Sequence, residues 1–355
     1  MEHIDVGPGR LRGVPALDQL WSCIAREVGG ELVRAGDGPQ NDPVQVAGDG
    51  LVAAQVGAVR FAHAVAGLMG SESRAPIDPA RVVPTHGARN GLCHALVTLP
   101  ADAPVYFPAV DPSAAVAILR SGHRPVPLAG RTGASVAEML EGIRRLPRGR
   151  GGAGLVLHFP SKPAGVTPTA GEWEEVVALS DRFLVVLDDV YGFLDPCPRP
   201  LAALIEAGGV VVDSCTIRLG APGLRLGWLV TGGDRLEVAR ESVACESGGL
   251  ATPLLGLGAR VLERYVASGV RTAVRAEIDR RRRDLREAIA PDLTRRLVLG
   301  EHGFYAALND AGRLGTVPGL GVQQGPGFVR LCLGAHDDFG AVARRLNDAP
   351  LLMGL

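Results

Sequence analysis

Lysine is almost absent from this chain. Of 37 basic side chains one is a lysine, Lys162, and the other 36 are arginines. The shortage reads as a general preference for arginine, so the information lies in where the surviving lysine stands. A basic excess is also lacking. Lys plus Arg number 37 and Asp plus Glu 38, a formal net charge of −1, which argues against a protein that grips nucleic acid through its backbone phosphates. The one dense basic run, Arg280 to Arg283, is followed by Asp284, Arg286 and Glu287 and reads as a solvated helix face. The six cysteines are scattered, with no CxxC pair and no histidine at metal-binding spacing. Neither a disulfide framework nor a metal site is expected, and a reduced, cytoplasmic setting fits. The opening MEHIDVGPGR lacks the basic and apolar regions of a secretory signal, and apolar stretches such as Leu51 to Val59 are too short to span a bilayer. No GxSxG elbow, Walker lysine loop or HExxH pair is found. The glycines of GPGRLRG, residues 7–13, follow no strand and have the wrong spacing for a dinucleotide loop, so that segment reads as a flexible arm.

What is present is a globular chain of 355 residues, 46% hydrophobic, with 48 glycines and 26 prolines marking many turns. That length suits two domains and a core that needs no covalent staple. The patterning predicts a helix from Ala16 to Val28, a polar segment from Gly36 to Gly50, and a helix from Val52 to Met69 that stops at Gly70. Strands are expected at Pro104–Phe107, Val126–Leu128, Gly154–His158, Phe183–Leu187, Gly209–Val212 and Arg225–Thr231. Between them fall helices at Gly87–Leu99, Ser113–Ser121, Ser135–Leu146, Thr169–Leu179 and Leu201–Ala207. The alternation predicts a mostly parallel α/β sheet of about seven strands, with the ligand crevice at the carboxyl ends of the strands. Beyond it, Pro253 to Ile289 reads as helix broken near Gly269. A smaller domain follows, with strands at Leu297–Ala307 and Gly327–Leu333 and a closing helix at Asp337–Leu346.

Four motifs stand in order on this frame. The first is Pro84-Thr85-His86-Gly87-Ala88, which opens a helix whose free N–H groups suit a phosphate; alone, Thr85 reads as an ordinary helix cap. The second is Leu187-Asp188-Asp189-Val190-Tyr191, an acidic strand end followed by a tyrosine. The third runs from Ser214 to Trp228 and includes Thr216, Ile217 and Pro222-Gly223-Leu224-Arg225-Leu226-Gly227. The fourth is Gly327-Phe328-Val329-Arg330-Leu331. Together, from about Pro84 to Leu333, they resemble the class I/II aminotransferases, fold type I enzymes that use pyridoxal 5′-phosphate. The resemblance implies a large domain with a mostly parallel seven-stranded sheet, here residues 48–255, and a small α+β domain at 256–355. Residues 1–47 would join the small domain or form a dimer arm. It also implies roles. Thr85, His86, Gly87, Ala88, Ser214, Thr216 and Arg225 would surround the cofactor and its phosphate. Asp188 would pair with the pyridinium nitrogen, Tyr191 with the ring 3′-oxygen, and Arg330 would clamp the substrate carboxylate. A homodimer is implied, with Ser247-Gly248-Gly249 near a neighbour's phosphate, and an amino-acid-like substrate.

The sequence departs from the family pattern at three places. Ile217 stands where the Schiff-base lysine belongs, and Arg225 follows at the family's spacing. Phe159-Pro160-Ser161-Lys162-Pro163-Ala164-Gly165 resembles a loop whose second asparagine contacts the 3′-oxygen, and Lys162 holds that asparagine's place. Val110 stands where a ring-stacking aromatic is usual, with Tyr106, Phe107 or His86 as substitutes. Three readings follow. Lys162, its amine freed by burial and Arg225, takes over the covalent role. Alternatively the cofactor or its substrate adduct is held without a covalent link, Lys162 donates to the 3′-oxygen, and Lys162, Tyr191 or His86 moves the proton at Cα while Asp188 keeps the ring protonated, in an altered enzyme suited to making a specialised amino-acid product. In the third reading the chain binds a ligand or partner and catalyses nothing.

Overall fold

The computed structural model describes residues 13–24, 43–128, 130, 134–147, 152–309, 323–325, 328–335 and 338–348. Strands β1 (Val82–Thr85), β2 (Pro104–Pro108), β3 (Arg124–Leu128), β4 (Gly154–Leu157), β5 (Leu184–Asp188), β6 (Val210–Ser214) and β7 (Gly227–Val230) form one sheet in the order β1-β7-β6-β5-β4-β2-β3. Only β7 runs against its neighbours; β2 to β6 are parallel. The period of two along these strands explains why they read as unbroken apolar runs. Val185 and Leu187 pack into the core on one face of the sheet, while Leu184 and Val186 pack into a separate core on the other. A second sheet, β8 (Leu297–Val298), β9 (Tyr305–Asn309), β10 (Gln323–Gly325) and β11 (Phe328–Cys332), is antiparallel in the order β10-β11-β9-β8. The architecture is therefore a large domain with a mostly parallel seven-stranded sheet beside a small α+β domain, the fold type I arrangement.

The elements differ from the sequence reading at identifiable places. The helix expected to stop at Gly70 runs from Pro43 to Ser73, so the end of the expected polar segment Gly36–Gly50 is its first turns; residues 36–42 lie outside the described residues. Gly70 keeps a negative φ and continues the helix. The helix expected at Ala16–Val28 is seen over residues 15–24, and the rest of it, like most of GPGRLRG, lies outside the described residues. Leu297–Ala307 is two strands, β8 and β9, separated by a turn holding Gly300 and Gly303. Strand β1 was not expected because Pro84 lies inside it. The helix Asp234–Ser247 was missed because it buries only Ala239 and Val243 and shows no apolar stripe. The break at Gly269 is as expected, with φ of 68° between the helices Thr252–Ser268 and Val270–Ala288. Among the described residues no helix is long and apolar enough to cross a membrane.

Two features hold the strand ends in place. Behind the sheet, Glu72 is bonded to both Arg199 and Arg218; Arg199 also meets Asp189, and Arg218 donates to Asp213 at 2.5 Å. Burial opposes the Glu72 charge, yet the guanidiniums of Arg218, Arg199 and Arg271 outweigh it and bring its pKa down to about 2. Asp189 and Asp213 directly flank Asp188 and Ser214 in sequence, so this network fixes the carboxyl ends of β5 and β6. On the other side, the turn after β4 is pressed against the small domain at Gly165, whose φ is +69°. A Cβ there would lie 2.5 Å from the Gly303 backbone nitrogen. Gly165→Ala is expected to destabilise the protein by about 2–3 kcal/mol, through a forbidden φ and a backbone clash. Urea unfolding of the two proteins measures this directly.

Candidate active site

Strands β4, β5 and β6 all end on one side of the sheet, and their following residues meet there. Asp188 is the last residue of β5 and Tyr191 follows it; Ser214 is the last residue of β6, and Thr216 and Ile217 follow it. They line a cleft of about 390 Å³ together with Gly87, Ala88, Asp111, Ser113, Lys162, Arg225, Tyr305 and Arg330. Two arginines line the cleft. Gly87, with φ of 87°, opens the helix Ala88–Leu96, and Arg225 lies over it with Nη2 3.3 Å from the His86 carbonyl. A Cβ on Gly87 would come 3.2 Å from that guanidinium nitrogen. Free helix N–H groups and an arginine fork facing one space make a seat for an oxyanion. The second, Arg330, stacks its guanidinium 4.3 Å from the centre of the Tyr305 ring.

Lys162 also lines the cleft and is 7% exposed. Its Nζ donates to Asp188 Oδ2 at 2.9 Å and to Asp111 Oδ2 at 3.1 Å, and sits 5.2 Å from the Tyr191 ring centre. Burial disfavours its charge, but the carboxylates of Asp111 and Asp188 outweigh burial and hold the amine above its ordinary pKa. The expectation that burial and Arg225 would free the Lys162 amine is thus corrected: Lys162 is an ammonium clamped by two carboxylates. Asp111, also buried, is held well below the carboxylate range by Lys162, His158 and Ser113 against the opposing effect of burial. The Tyr191 and Tyr305 hydroxyls share a hydrogen bond of 2.5 Å. Burial, helped by Tyr305, raises the Tyr191 phenol well above its ordinary pKa, so it stays protonated.

Of the residues singled out in the sequence, Gly87, Ala88, Lys162, Asp188, Tyr191, Ser214, Thr216, Arg225 and Arg330 line this one cleft. Thr85 and His86 do not. Thr85 is fully buried with its hydroxyl on the Gly87 carbonyl, and His86 serves the turn through its backbone, its N–H bonded to Asn90 Oδ1. No substitute for the ring-stacking aromatic faces the cleft from that loop: Tyr106 packs edge-on against Phe183, and Phe107 lies in the core on the opposite face. Cys215 is buried, and burial pushes its thiol up to about 12. Sequence reasoning missed Asp111 and Tyr305. Asp111 precedes Pro112-Ser113 and caps the next helix with Oδ1 on the Ser113 N–H, a role that hides the second oxygen facing Lys162. Tyr305 lay inside what read as one continuous strand.

A sequence model of the family described as aminotransferase class I and II matches residues 50–296. The chain belongs to this family. Among solved structures, an aspartate aminotransferase mutant of Thermus thermophilus is similar over 94% of this chain and 96% of its own, with 18% identity and a TM-score of 0.69. An aromatic aminotransferase of Pyrococcus horikoshii is similar over 87% and 92%, with 18% identity and a TM-score of 0.68. A curated relative, an uncharacterised aminotransferase of Saccharolobus solfataricus, is 31% identical over 96 residues, 25% of this chain and 24% of that protein. The family model spans the segments that carry Gly87, Asp111, Lys162, Asp188, Tyr191, Ser214 and Arg225, whereas Tyr305 and Arg330 lie beyond it. Among the described residues, no group of three or more His, Cys, Asp or Glu side chains is placed to hold a metal ion.

Proposed function

We propose that this aminotransferase-family chain holds pyridoxal 5′-phosphate, or its adduct with an amino acid, without a covalent bond to the protein, and acts on a bond at the amino-acid Cα. The observation that carries the reading is the set of charges that line one cleft: an oxyanion seat at Gly87 and Arg225, an acid at Asp188, and a second arginine at Arg330. The residues fit the cofactor in a testable way. Asp188 Oδ1 is buried with no hydrogen-bond partner among the described residues, while Oδ2 is held by Lys162. An N–H donor, such as a protonated ring nitrogen, is what Oδ1 lacks. Ser214, Thr216, Arg225 and the Gly87 backbone would hold the phosphate, and Tyr191 would meet the 3′-oxygen. When bound, the cofactor supplies an electron sink for charge developing at Cα.

The chain's own groups then have limited roles. Arg330 orients the carboxylate of an amino-acid substrate. Lys162 Nζ holds a proton, so it can donate one and stabilise negative charge but does not begin as a base. Ile217, at the place of the family's lysine, offers no amine. The family membership and the names of the similar structures support an amino-acid substrate. We further propose a homodimer in a cytoplasmic setting, with residues 48–255 as the large domain, 256–355 as the small one and the Ser247-Gly248-Gly249 turn near the neighbour's site.

A second reading, binding without turnover, is favoured by Ile217 together with the clamped Lys162. Exchange of the Cα proton in D2O, followed by NMR across the common amino acids with pyridoxal 5′-phosphate present, separates the two. The first reading expects exchange above that of free cofactor for at least one amino acid. Arg330→Leu is expected to reduce that exchange about tenfold or more, through a higher KM, while cofactor affinity is retained. Exchange no faster than with free cofactor for every amino acid would leave binding alone.

A further inference from the structure

The two arginines of the cleft are held in different ways. Arg225 donates to the His86 carbonyl. Among the described residues no hydrogen bond or ion pair holds the Arg330 side chain, and what it meets is the Tyr305 ring, with the guanidinium carbon 4.3 Å from the ring centre. The register of the small sheet explains the pairing. Arg330 on β11 stands opposite Ala307 on β9, and Tyr305 is two residues away on that strand. Diagonal neighbours of this kind share one face of an antiparallel sheet, within reach of long and aromatic side chains. Tyr305 is buried, and its hydroxyl meets the Tyr191 hydroxyl at 2.5 Å, beyond the end of β5. One side chain therefore touches both the arginine and the tyrosine that line the cleft.

We propose that Tyr305 is a positioning residue that serves two subsites at once: its ring aims Arg330 at a substrate carboxylate, and its hydroxyl turns the Tyr191 hydroxyl toward the ring 3′-oxygen. The assignment rests on the cofactor reading above. A guanidinium stacked on an aromatic ring is restrained by the stack, while the N–H groups at its edge stay free for a carboxylate. An ion pair in place of the ring would occupy the same donors that the substrate needs. The hydroxyl acts through a count of protons. Burial raises both phenols, Tyr305 to about 12, so each keeps its proton. Only one of those two protons lies between the oxygens. With Tyr305 as donor, the Tyr191 proton is left for the ligand; the opposite direction leaves Tyr191 only lone pairs to offer. A ligand oxygen that accepts thus selects Tyr305 as donor, and each bond of the chain polarises the next.

The probes are two stable pyridoxyl adducts, made in solution by reducing the imines of pyridoxal 5′-phosphate with L-alanine and with ethylamine. The second lacks only the carboxylate. The native protein should bind the alanine adduct at least about tenfold more tightly than the ethylamine adduct. Tyr305→Phe keeps the ring and should keep that ratio. Tyr305→Leu should cut the ratio about fivefold or more, with affinity for the ethylamine adduct held within about threefold, because Arg330 loses its stack. Tyr305→Met, which fills more of the space, reads the same ratio should the leucine variant fold poorly. Tyr305→Phe should instead shift the absorbance band of the bound pyridoxyl ring, and should shift it no further in a Tyr191→Phe background. Native protein that binds neither adduct, or both alike, would overturn the cofactor reading and this assignment with it. A native preference that survives loss of the Tyr305 ring would overturn the assignment of Tyr305 alone. So would an absorbance band that Tyr305→Phe leaves in place, or shifts equally without the Tyr191 hydroxyl.

Discussion

Replacing Arg225 by glutamine is expected to weaken pyridoxal 5′-phosphate binding by about 30-fold, roughly 2 kcal/mol, while leaving binding of phosphate-free pyridoxal nearly unchanged. Glutamine keeps much of the side-chain length and tolerates the Arg225 backbone at φ of 48° about as well as arginine does, so the change removes mainly a charged fork. The estimate is kept modest because Arg225 is solvent-exposed in the cleft, where screening reduces an ion pair. On the proposed non-covalent reading, the phosphate contacts carry a larger part of the affinity than they would beside an anchoring lysine. Titration by visible absorbance, cofactor against pyridoxal in both proteins, isolates the contribution of the phosphate. An equal loss for both ligands would point to a distorted cleft and not to a phosphate seat.

Lys162→Met should have the largest effect on stability, about 3–5 kcal/mol at pH 7, because it leaves the Asp111 and Asp188 carboxylates close together without their cation. The pH dependence carries a sign that can be checked. Asp111 has a depressed folded pKa, so its share of the pair's stability is present above the ordinary carboxylate pKa and disappears as pH falls through the folded value. Lys162 has a raised folded pKa, so its share is complete below the ordinary lysine value and disappears as pH rises through the folded one. The native protein should thus keep the full contribution from about pH 4 to about pH 10. In the variant, protonation of the orphaned Asp111 at low pH relieves the repulsion, so the difference in unfolding free energy should shrink from pH 7 toward pH 4. Adding Asp111→Asn to Lys162→Met should recover part of the loss at pH 7. Urea unfolding at the two pH values reads all three proteins. A constant difference across that range would contradict the clamped ion pair.

Much of this molecule was legible before any coordinates. The apolar runs Phe183–Leu187 and Gly209–Val212 gave both the parallel sheet and the strand ends where the cleft opens, because strands buried on two faces need no alternation. That Arg225 and Gly87 would share one cleft was legible for a similar reason: both stand in turns whose local backbone and short spacing the sequence records. Lys162 stood out by its rarity, but its charge state did not, since that is set by Asp111, which sits 51 residues away and reads locally as a helix cap. The helix running through Gly70 was misread because a glycine weighs toward a stop until packing against the rest of the fold overrides it.

The account rests on Lys162 being an ion-paired ammonium in a site that holds its cofactor without a covalent bond. Its most direct test is to saturate the protein with pyridoxal 5′-phosphate, reduce with borohydride, and map any pyridoxyl group by peptide mass spectrometry. Saturable binding that Arg225→Gln weakens, with Lys162 left unmodified, is the expected result. Stoichiometric pyridoxyl label on Lys162 would contradict it and make that lysine the relocated anchor.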